Sequence, residues 1–238
     1  MKICSATSTG KIRAVNEDSF FVSDTSAEGA VLAVVADGMG GHNAGEVASA
    51  EVVNVLKNSD FSENNDTKTA LLDAIECANS TIYKMSARSE KLHGMGTTAT
   101  VCVISGDKVT AAQVGDSRLY LIRDGEITQI TKDHSLVEML VERGSITKED
   151  AKRHPQKNVI TRAIGTESSV QADIYEFSTI PQDILLLCSD GLVNMVDDER
   201  ILSIITNTEE FDNLAEILVN EAENAGGHDN ITVVLIKF

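Results

Sequence analysis

Four aspartates in this chain stand where an apolar run ends or begins. Val31-Leu-Ala-Val-Val-Ala closes on Asp37, and Gly38, Gly40 and Gly41 follow. Ile184-Leu-Leu-Leu-Cys-Ser closes on Asp190-Gly191, and Val109-Thr-Ala-Ala-Gln-Val-Gly closes on Asp116. At Asp229-Asn230 the order reverses, because the carboxylate precedes Ile231-Thr-Val-Val-Leu-Ile236. A single Asp-Gly after a strand is ordinarily a turn. The repetition asks for more, since antiparallel strands set the end of one beside the start of the next. One rim of a sheet then gathers Asp37, Asp190 and Asp229, with Asp116 in reach. Ionised carboxylates crowded at a core edge repel one another and need cations between them. Oxygen-only ligands favour hard ions, Mg²⁺ or Mn²⁺. The glycines allow a sharp turn and a close backbone approach.

Other segments extend the pattern. Arg13-Ala-Val-Asn-Glu-Asp18, Gly94-Met-Gly-Thr-Thr98, Val114-Gly-Asp-Ser-Arg118 and Ile160-Thr-Arg-Ala-Ile-Gly165 flank the aspartates. Together, and in this order, these motifs resemble those of the metal-dependent protein serine/threonine phosphatases of type 2C, in their compact bacterial form. The resemblance covers nearly the whole chain. It implies hydrolysis of phosphoserine and phosphothreonine by a water bridged between two Mn²⁺ or Mg²⁺ ions, with a weaker third ion in bacterial members. It implies that Asp37 bridges both core metals, that the Gly38 carbonyl contributes to one, and that Asp190 and Asp229 hold the other. By the same resemblance Asp116 holds the third ion, Asp18 binds a metal through water, and Asn230 orients Asp229. Arg13 then holds the substrate phosphoryl group, whose oxygens suit the guanidinium fork. Phosphorylated proteins, including a Ser/Thr protein kinase, are the implied partners.

The chain departs from many eukaryotic relatives in one respect. They carry His directly after Asp-Gly as a candidate acid for the leaving alkoxide, and this chain has Met39. Met cannot donate a proton. His42 is near, but it reads equally well as a turn histidine, so the proton donor stays open. Two other readings stand beside the main one: a two-metal hydrolase of small phosphate esters, and a catalytically inactive interaction module of the same fold. The intact set Asp37, Gly38, Asp190 and Asp229 argues against the inactive module. There is no Cys-x₅-Arg signature for thiolate catalysis and no phosphate-binding P-loop.

The elements that must position these residues can be read coarsely. Residues 19–23, 98–104, 108–114, 118–123, 127–130 and 184–189 read as strands, with hairpin turns at Ser105-Gly-Asp107 and Asp124-Gly125. A helix capped by Asn43 carries the stripe Val47, Ala48, Val52, Val55 and Leu56. A second spans 67–87 with Leu71, Ala74, Ile75, Ala78, Ile82 and Met85 on one face. Further helices are expected at 133–143, 198–206 and 212–224, and a capping box at Thr147 to Asp150. Strands in series between helices predict an α+β fold, a four-layer α-β-β-α sandwich of two mainly antiparallel sheets flanked by helices.

Length and charge bound the rest. A chain of 238 residues with two prolines and no polar linker suits a single domain, residues 1–238, with a flap at about 143–165 by resemblance. The net charge of −17 speaks against a nucleic-acid partner. Cys4, Cys77, Cys102 and Cys188 are scattered, which suggests a reducing compartment. Lys2 is followed by a polar stretch unlike a signal peptide, and no apolar run approaches the ~20 residues of a membrane span. The expectation is a cytoplasmic monomer away from membranes.

Overall fold

The structure, a computed structural model, describes residues 1–23, 29–40, 44–61 and 66–238. In chain order the strands are Lys2–Ser8 (β1), Asp18–Val22 (β2), Val31–Met39 (β3), Gly96–Thr97 (β4), Ala99–Ser105 (β5), Lys108–Val114 (β6), Arg118–Arg123 (β7), Glu126–Gln129 (β8), Asp173–Ser178 (β9), Ile184–Cys188 (β10) and Ile231–Lys237 (β11). The α-helices are Ala44–Lys57 (α1), Thr67–Arg88 (α2), Leu136–Glu142 (α3), Lys148–Lys152 (α4), Asp190–Val193 (α5), Asp198–Asn207 (α6) and Leu214–Asn224 (α7). One sheet has the order β1-β11-β10-β7-β8, the other β2-β3-β5-β6-β9 with β4 beside the end of β3, and every pairing is antiparallel.

Three apolar clusters correspond to the three interfaces of a four-layer sandwich. In β3, Val31, Ala33 and Val35 pack against Leu185, Leu187, Val234 and Ile236 of the other sheet. The alternate residues Leu32, Val34 and Ala36 pack with Ala48, Val52 and Leu56 of α1 and Leu71, Ile75 and Ile82 of α2. On the far side, Leu186, Cys188, Val233 and Leu235 meet Ile201, Leu218 and Ala222 of α6 and α7. A strand buried on both faces must be apolar throughout. That is why β3, β10 and β11 read as unbroken runs.

The predicted strands and long helices recur with shifted ends. Asp66 caps α2, its side chain accepting from Thr69 N. Thr147 and Asp150 form the expected capping box on α4. The helix placed at 133–143 starts only at Leu136, because Ser135 caps it and Asp133 is drawn away to Arg118. The cap assigned to Asn43 falls outside the described residues. Strands β1 and β9 were not legible, since both are edge strands whose polar residues alternate with apolar ones.

Candidate active site

Asp37 lies near the end of β3, directly opposite Asp18 on β2. Its backbone is held on both sides. Its amide donates to Thr98 Oγ1 (2.9 Å), and its carbonyl accepts from Thr98 N (2.9 Å) and Thr97 Oγ1 (2.9 Å). Gly38 is required where it stands: a Cβ would come within 2.2 Å of the Gly45 carbonyl oxygen and 2.5 Å of that of Glu17. The first turn of α1 thus presses onto the strand at the carboxylate.

Asp190 opens α5 directly after β10, and Asp229 immediately precedes β11. These strands belong to the other sheet, so the expectation of one rim is corrected. Asp37 and Asp18 come from one sheet, Asp190 and Asp229 from the second, and Asp116 lies where the chain crosses between them from β6 to β7. A sandwich brings the ends of both sheets to one edge, which an alternating pattern alone does not reveal. Asp18 ties the two together. Its Oδ2 accepts from Ser189 Oγ and from Thr232 Oγ1, each at 2.7 Å. Gly191 lets α5 begin against β11, because a Cβ there would lie 2.0 Å from the Asn230 carbonyl oxygen.

The electrostatics show a shortage of positive charge. Burial, opposed by the two hydroxyl donors and reinforced by Asp190 and Asp229, pushes the Asp18 carboxyl up to about 7. Burial and the neighbouring Asp18, Asp190, Asp116 and Asp229 hold Asp37 well above the carboxylate range. Asp116 is raised to about 8 by burial and by the fields of Asp190 and Asp133. Asp190 is raised to about 6 by burial and Asp229, although Asp37 lies within hydrogen-bonding reach and Arg118 and Lys157 pull it down. Among the described residues Asp18 Oδ1 is a buried oxygen that meets no donor. No three of the described His, Cys, Asp or Glu side chains close round a single point, so the site is defined by mutual field and register, not by a ready-made cage. An all-oxygen set that raises its own members' pKa values and leaves a buried lone pair free suits hard divalent cations.

Arg13 Nη2 donates to Asp229 Oδ2 at 2.9 Å, and the two side chains are 49% and 32% exposed. The guanidinium therefore stands at the carboxylates with part of its fork open to solvent. The backbone N–H of Asn230 donates to Asp229 Oδ1 (2.9 Å). Its side chain does something the sequence did not suggest. Nδ2 donates to the carbonyls of Thr9 (3.1 Å) and Val15 (2.9 Å), and Oδ1 accepts from Glu17 N (2.8 Å). Asn230 thus pins the loop that carries Arg13 and leads to Asp18.

A cleft of 830 Å³ reaches the site, lined by Asp116 and Asp190 together with Lys148, Lys152 and Lys157 of the 143–165 segment. Arg13, Asp37 and Asp229 do not line it. Lys157 Nζ donates to Asn194 Oδ1 (3.2 Å), and Asn194 Nδ2 donates to Asp190 Oδ2 (2.8 Å). Sequence reasoning missed Ser189, Thr232 and Thr98, ordinary polar residues whose partners are distant in the chain, and Asn194, which reaches Asp190 one helical turn back. Arg118 is fully engaged, in a bidentate pair with Asp133 and with Tyr120. Met39 is half-buried at the strand end, and His42 lies outside the described residues.

Known proteins share this fold and much of this sequence. The serine/threonine phosphatase stp of Listeria monocytogenes serotype 4b is 39% identical over 237 residues, 97% of this chain and 93% of that protein. The crystal structure of the Mycobacterium tuberculosis serine/threonine phosphatase PstP/Ppp superposes with a TM-score of 0.92 at 39% identity, covering 100% of this chain and 98% of the other. A structure of the PstP catalytic domain in complex with two manganese ions matches with a TM-score of 0.87 at 38% identity, over 98% and 96% of the two chains. The model of the family described as Protein phosphatase 2C matches residues 4–231. With its carboxylates gathered from the ends of two sheets and its sequence matched almost from end to end, this chain belongs to the protein phosphatase 2C family.

Proposed function

We propose a division of labour for the metal-dependent protein serine/threonine phosphatase that family membership makes this chain. The observation that carries it is the gathering of Asp18, Asp37, Asp116 and Asp190 in one mutually repelling cluster, with Asp229 beside it. When bound, a pair of Mn²⁺ or Mg²⁺ ions supplies the Lewis acidity that makes water nucleophilic near neutral pH and neutralises phosphoryl charge. Asp37 and the Gly38 carbonyl would hold the pair together with Asp190 and Asp229. Asp116 would hold a weaker third ion, and the free Oδ1 of Asp18 would receive an ion's water. The backbone grip of Thr97 and Thr98 on Asp37 and the donation from Asn194 to Asp190 keep two of these carboxylates in fixed orientation.

Arg13 would bind the substrate phosphoryl group. A phosphate offers its fork the same paired oxygens as Asp229, so the open face of the guanidinium is already aimed. Asn230 holds that loop in place. Met39 has no proton to give, so protonation of the leaving alkoxide falls to solvent or to a residue outside this set.

Phosphorylated proteins are the substrates, and an autophosphorylated Ser/Thr kinase is the natural first candidate. A single domain over 1–238 with 143–165 as a flap, a monomeric state and a cytoplasmic location complete the reading. The cluster of lysines on the cleft supports the flap, and no helix among the described residues is long and apolar enough to cross a membrane. The test is dephosphorylation of such a kinase from the same genome with Mn²⁺, against nucleotides and small phosphate esters. Phosphate release from phosphoserine and phosphothreonine that chelation abolishes is expected. Preference for nucleotides would favour the small-ester hydrolase, and metal binding without turnover would favour the inactive module.

A further inference from the structure

Gly115 precedes Asp116 and is gripped from several sides. Its φ is +101°, and a Cβ would lie 2.5 Å from Thr98 Cγ2. The turn is therefore pressed against the residue whose hydroxyl holds the Asp37 amide. The Gly115 carbonyl accepts from Gln113 Nε2 (3.0 Å) and from the His134 amide (2.9 Å). The buried Gly115 amide donates to His134 Nδ1 (3.1 Å). Because Nδ1 accepts, the geometry places the ring hydrogen on Nε2. Nε2 lies 3.1 Å from both Asp173 Oδ2 and Arg162 Nη1. With its hydrogen on Nε2 the ring donates to Asp173, and Arg162 Nη1 donates to Asp173 Oδ1 at 2.7 Å. His134 is only 5% exposed. Its carbonyl accepts from Thr161 N (2.7 Å), and Ser135 bridges to Ile160. One imidazole thus joins the turn that carries Asp116 to the end of the 143–165 segment.

We propose that His134 is a positioning residue for the phosphatase reaction: its amide and Nδ1 grip both backbone polar groups of Gly115 and so aim the Asp116 carboxylate, while Nε2 anchors that grip to Asp173 and Arg162. The inference rests on the reading of Asp116 as an ion ligand. Glycine has the widest backbone freedom of any residue, so a turn at Gly115 needs external restraint to hold one direction. Removing the imidazole strands a buried N–H and frees the turn to rotate its neighbour. Outer-shell partners of metal ligands change metal affinity or activity by about 10- to 100-fold when lost.

The test uses the full chain with three single variants and one double. His134→Ala should raise the Mn²⁺ concentration for half-maximal turnover by about 10-fold, while calorimetry finds the tight Mn²⁺ binding unchanged. The Gly115 amide should lose its hydrogen-exchange protection in the metal-free protein. In His134→Asn, Oδ1 can accept in place of Nδ1, so both the protection and most of the Mn²⁺ response should return. Asp116→Ala should show the same Mn²⁺ phenotype, and the double variant His134→Ala/Asp116→Ala should be no worse than Asp116→Ala alone. Additive losses in the double variant, or His134→Ala that is merely less stable with a wild-type Mn²⁺ response, would overturn the proposal. Wild-type behaviour of Asp116→Ala would instead overturn the reading of Asp116 on which it rests.

Discussion

Asp18 and Asp37 face each other directly across the β2–β3 ladder. Like charges at paired positions of an antiparallel sheet oppose each other's presence. Here Asp18 is buried and Asp37 half-buried at the strand ends, and the charge of Asp18 adds to the burial that raises Asp37. The fold sets two acids where either alone would be costly. Protonation or a shared cation would relieve that cost, so under the proposed reading metal binding is linked to stability.

Asp37→Asn and Asp229→Asn should each lower turnover by at least about 100-fold, the upper end of losses seen around metal centres, with the fold intact by circular dichroism. In the metal-free protein near pH 8, Asp37→Asn should melt no lower than wild type, because a carboxyl whose ionised form burial and its acidic neighbours disfavour has gone. Wild-type turnover of p-nitrophenyl phosphate by Asp37→Asn would end the bridging role.

The metal-free protein should lose stability as pH rises. Asp190, Asp18 and Asp116 have folded values of about 6, 7 and 8, all above the usual 3.8. A carboxyl raised on folding prefers to be protonated in the native state. Its contribution is full below the unfolded value and is lost as pH climbs through the folded one. Asp173 and Asp183 are also pushed up by burial, but pairing with Arg162 and Arg123 holds them below their usual range. Their contributions are lost only in acid, outside this window. Thermal melts in chelator should therefore fall from about pH 5 to about pH 9, and Mn²⁺ should flatten the curve. A melting temperature that rises with pH in chelator would contradict the burial of these groups.

How much of this could be read beforehand depended on the kind of signal. Asp37 and Asp190 were legible because a strand buried on both faces writes itself as an apolar run, and the acid at its end stands out. Asp116 was legible in the same way, at the end of the run from Val109, and only its part as a third-ion ligand came from the resemblance. Arg13 and Asp18 became candidates through their family motifs, since nothing local distinguishes them. The second sheet's share of the rim was not legible, because sheet membership depends on pairings such as Ser5 with Val234, far apart in sequence. Asn230 was assigned to Asp229, its neighbour, whereas its side chain reaches back to Thr9, Val15 and Glu17. His134 escaped for the same reason, since its partners at Gly115 and Asp173 are set by the fold. Asn194 lies one turn from Asp190 and escaped because its residue type is common.

Arg13→Ala should raise KM about 10-fold or more while leaving Mn²⁺ binding no weaker, because the lost partner of Asp229 is a competitor for that carboxylate. The pair is too exposed for its loss to lower stability much. Arg13→Lys should recover only part of the KM, since a single ammonium replaces a fork. Unchanged kinetics in both variants would leave Arg13 as an exposed partner of Asp229 and nothing more.

The 143–165 segment is locally basic in an acidic chain, with Arg143, Lys148, Lys152, Arg153, Lys157 and Arg162 against Glu149 and Asp150. These charges are not equivalent in the structure. Arg162 is taken up by Asp173. Lys157 is half-buried and touches Asn194, which supports Asp190. Lys152 and Arg153 are exposed, and Lys152 lines the cleft. Replacing all three of Lys152, Arg153 and Lys157 would change charge and ligand support together. The informative variant is Lys152→Ser/Arg153→Ser, with Lys157→Ser made separately. If the exposed pair draws phosphorylated proteins toward a body of net charge −17, the double variant should lower kcat/KM for a phosphoprotein about 5-fold at low salt, with a shallower salt dependence. Turnover of p-nitrophenyl phosphate should hardly move, since a small ester gains little from steering. Lys157→Ser should lower both rates, because it loosens Asn194 beside Asp190, the carboxylate proposed to hold an ion. Equal losses on both substrates in the double variant would show that it too disturbs the site, and no loss on either would show that the exposed charges take no part in encounter.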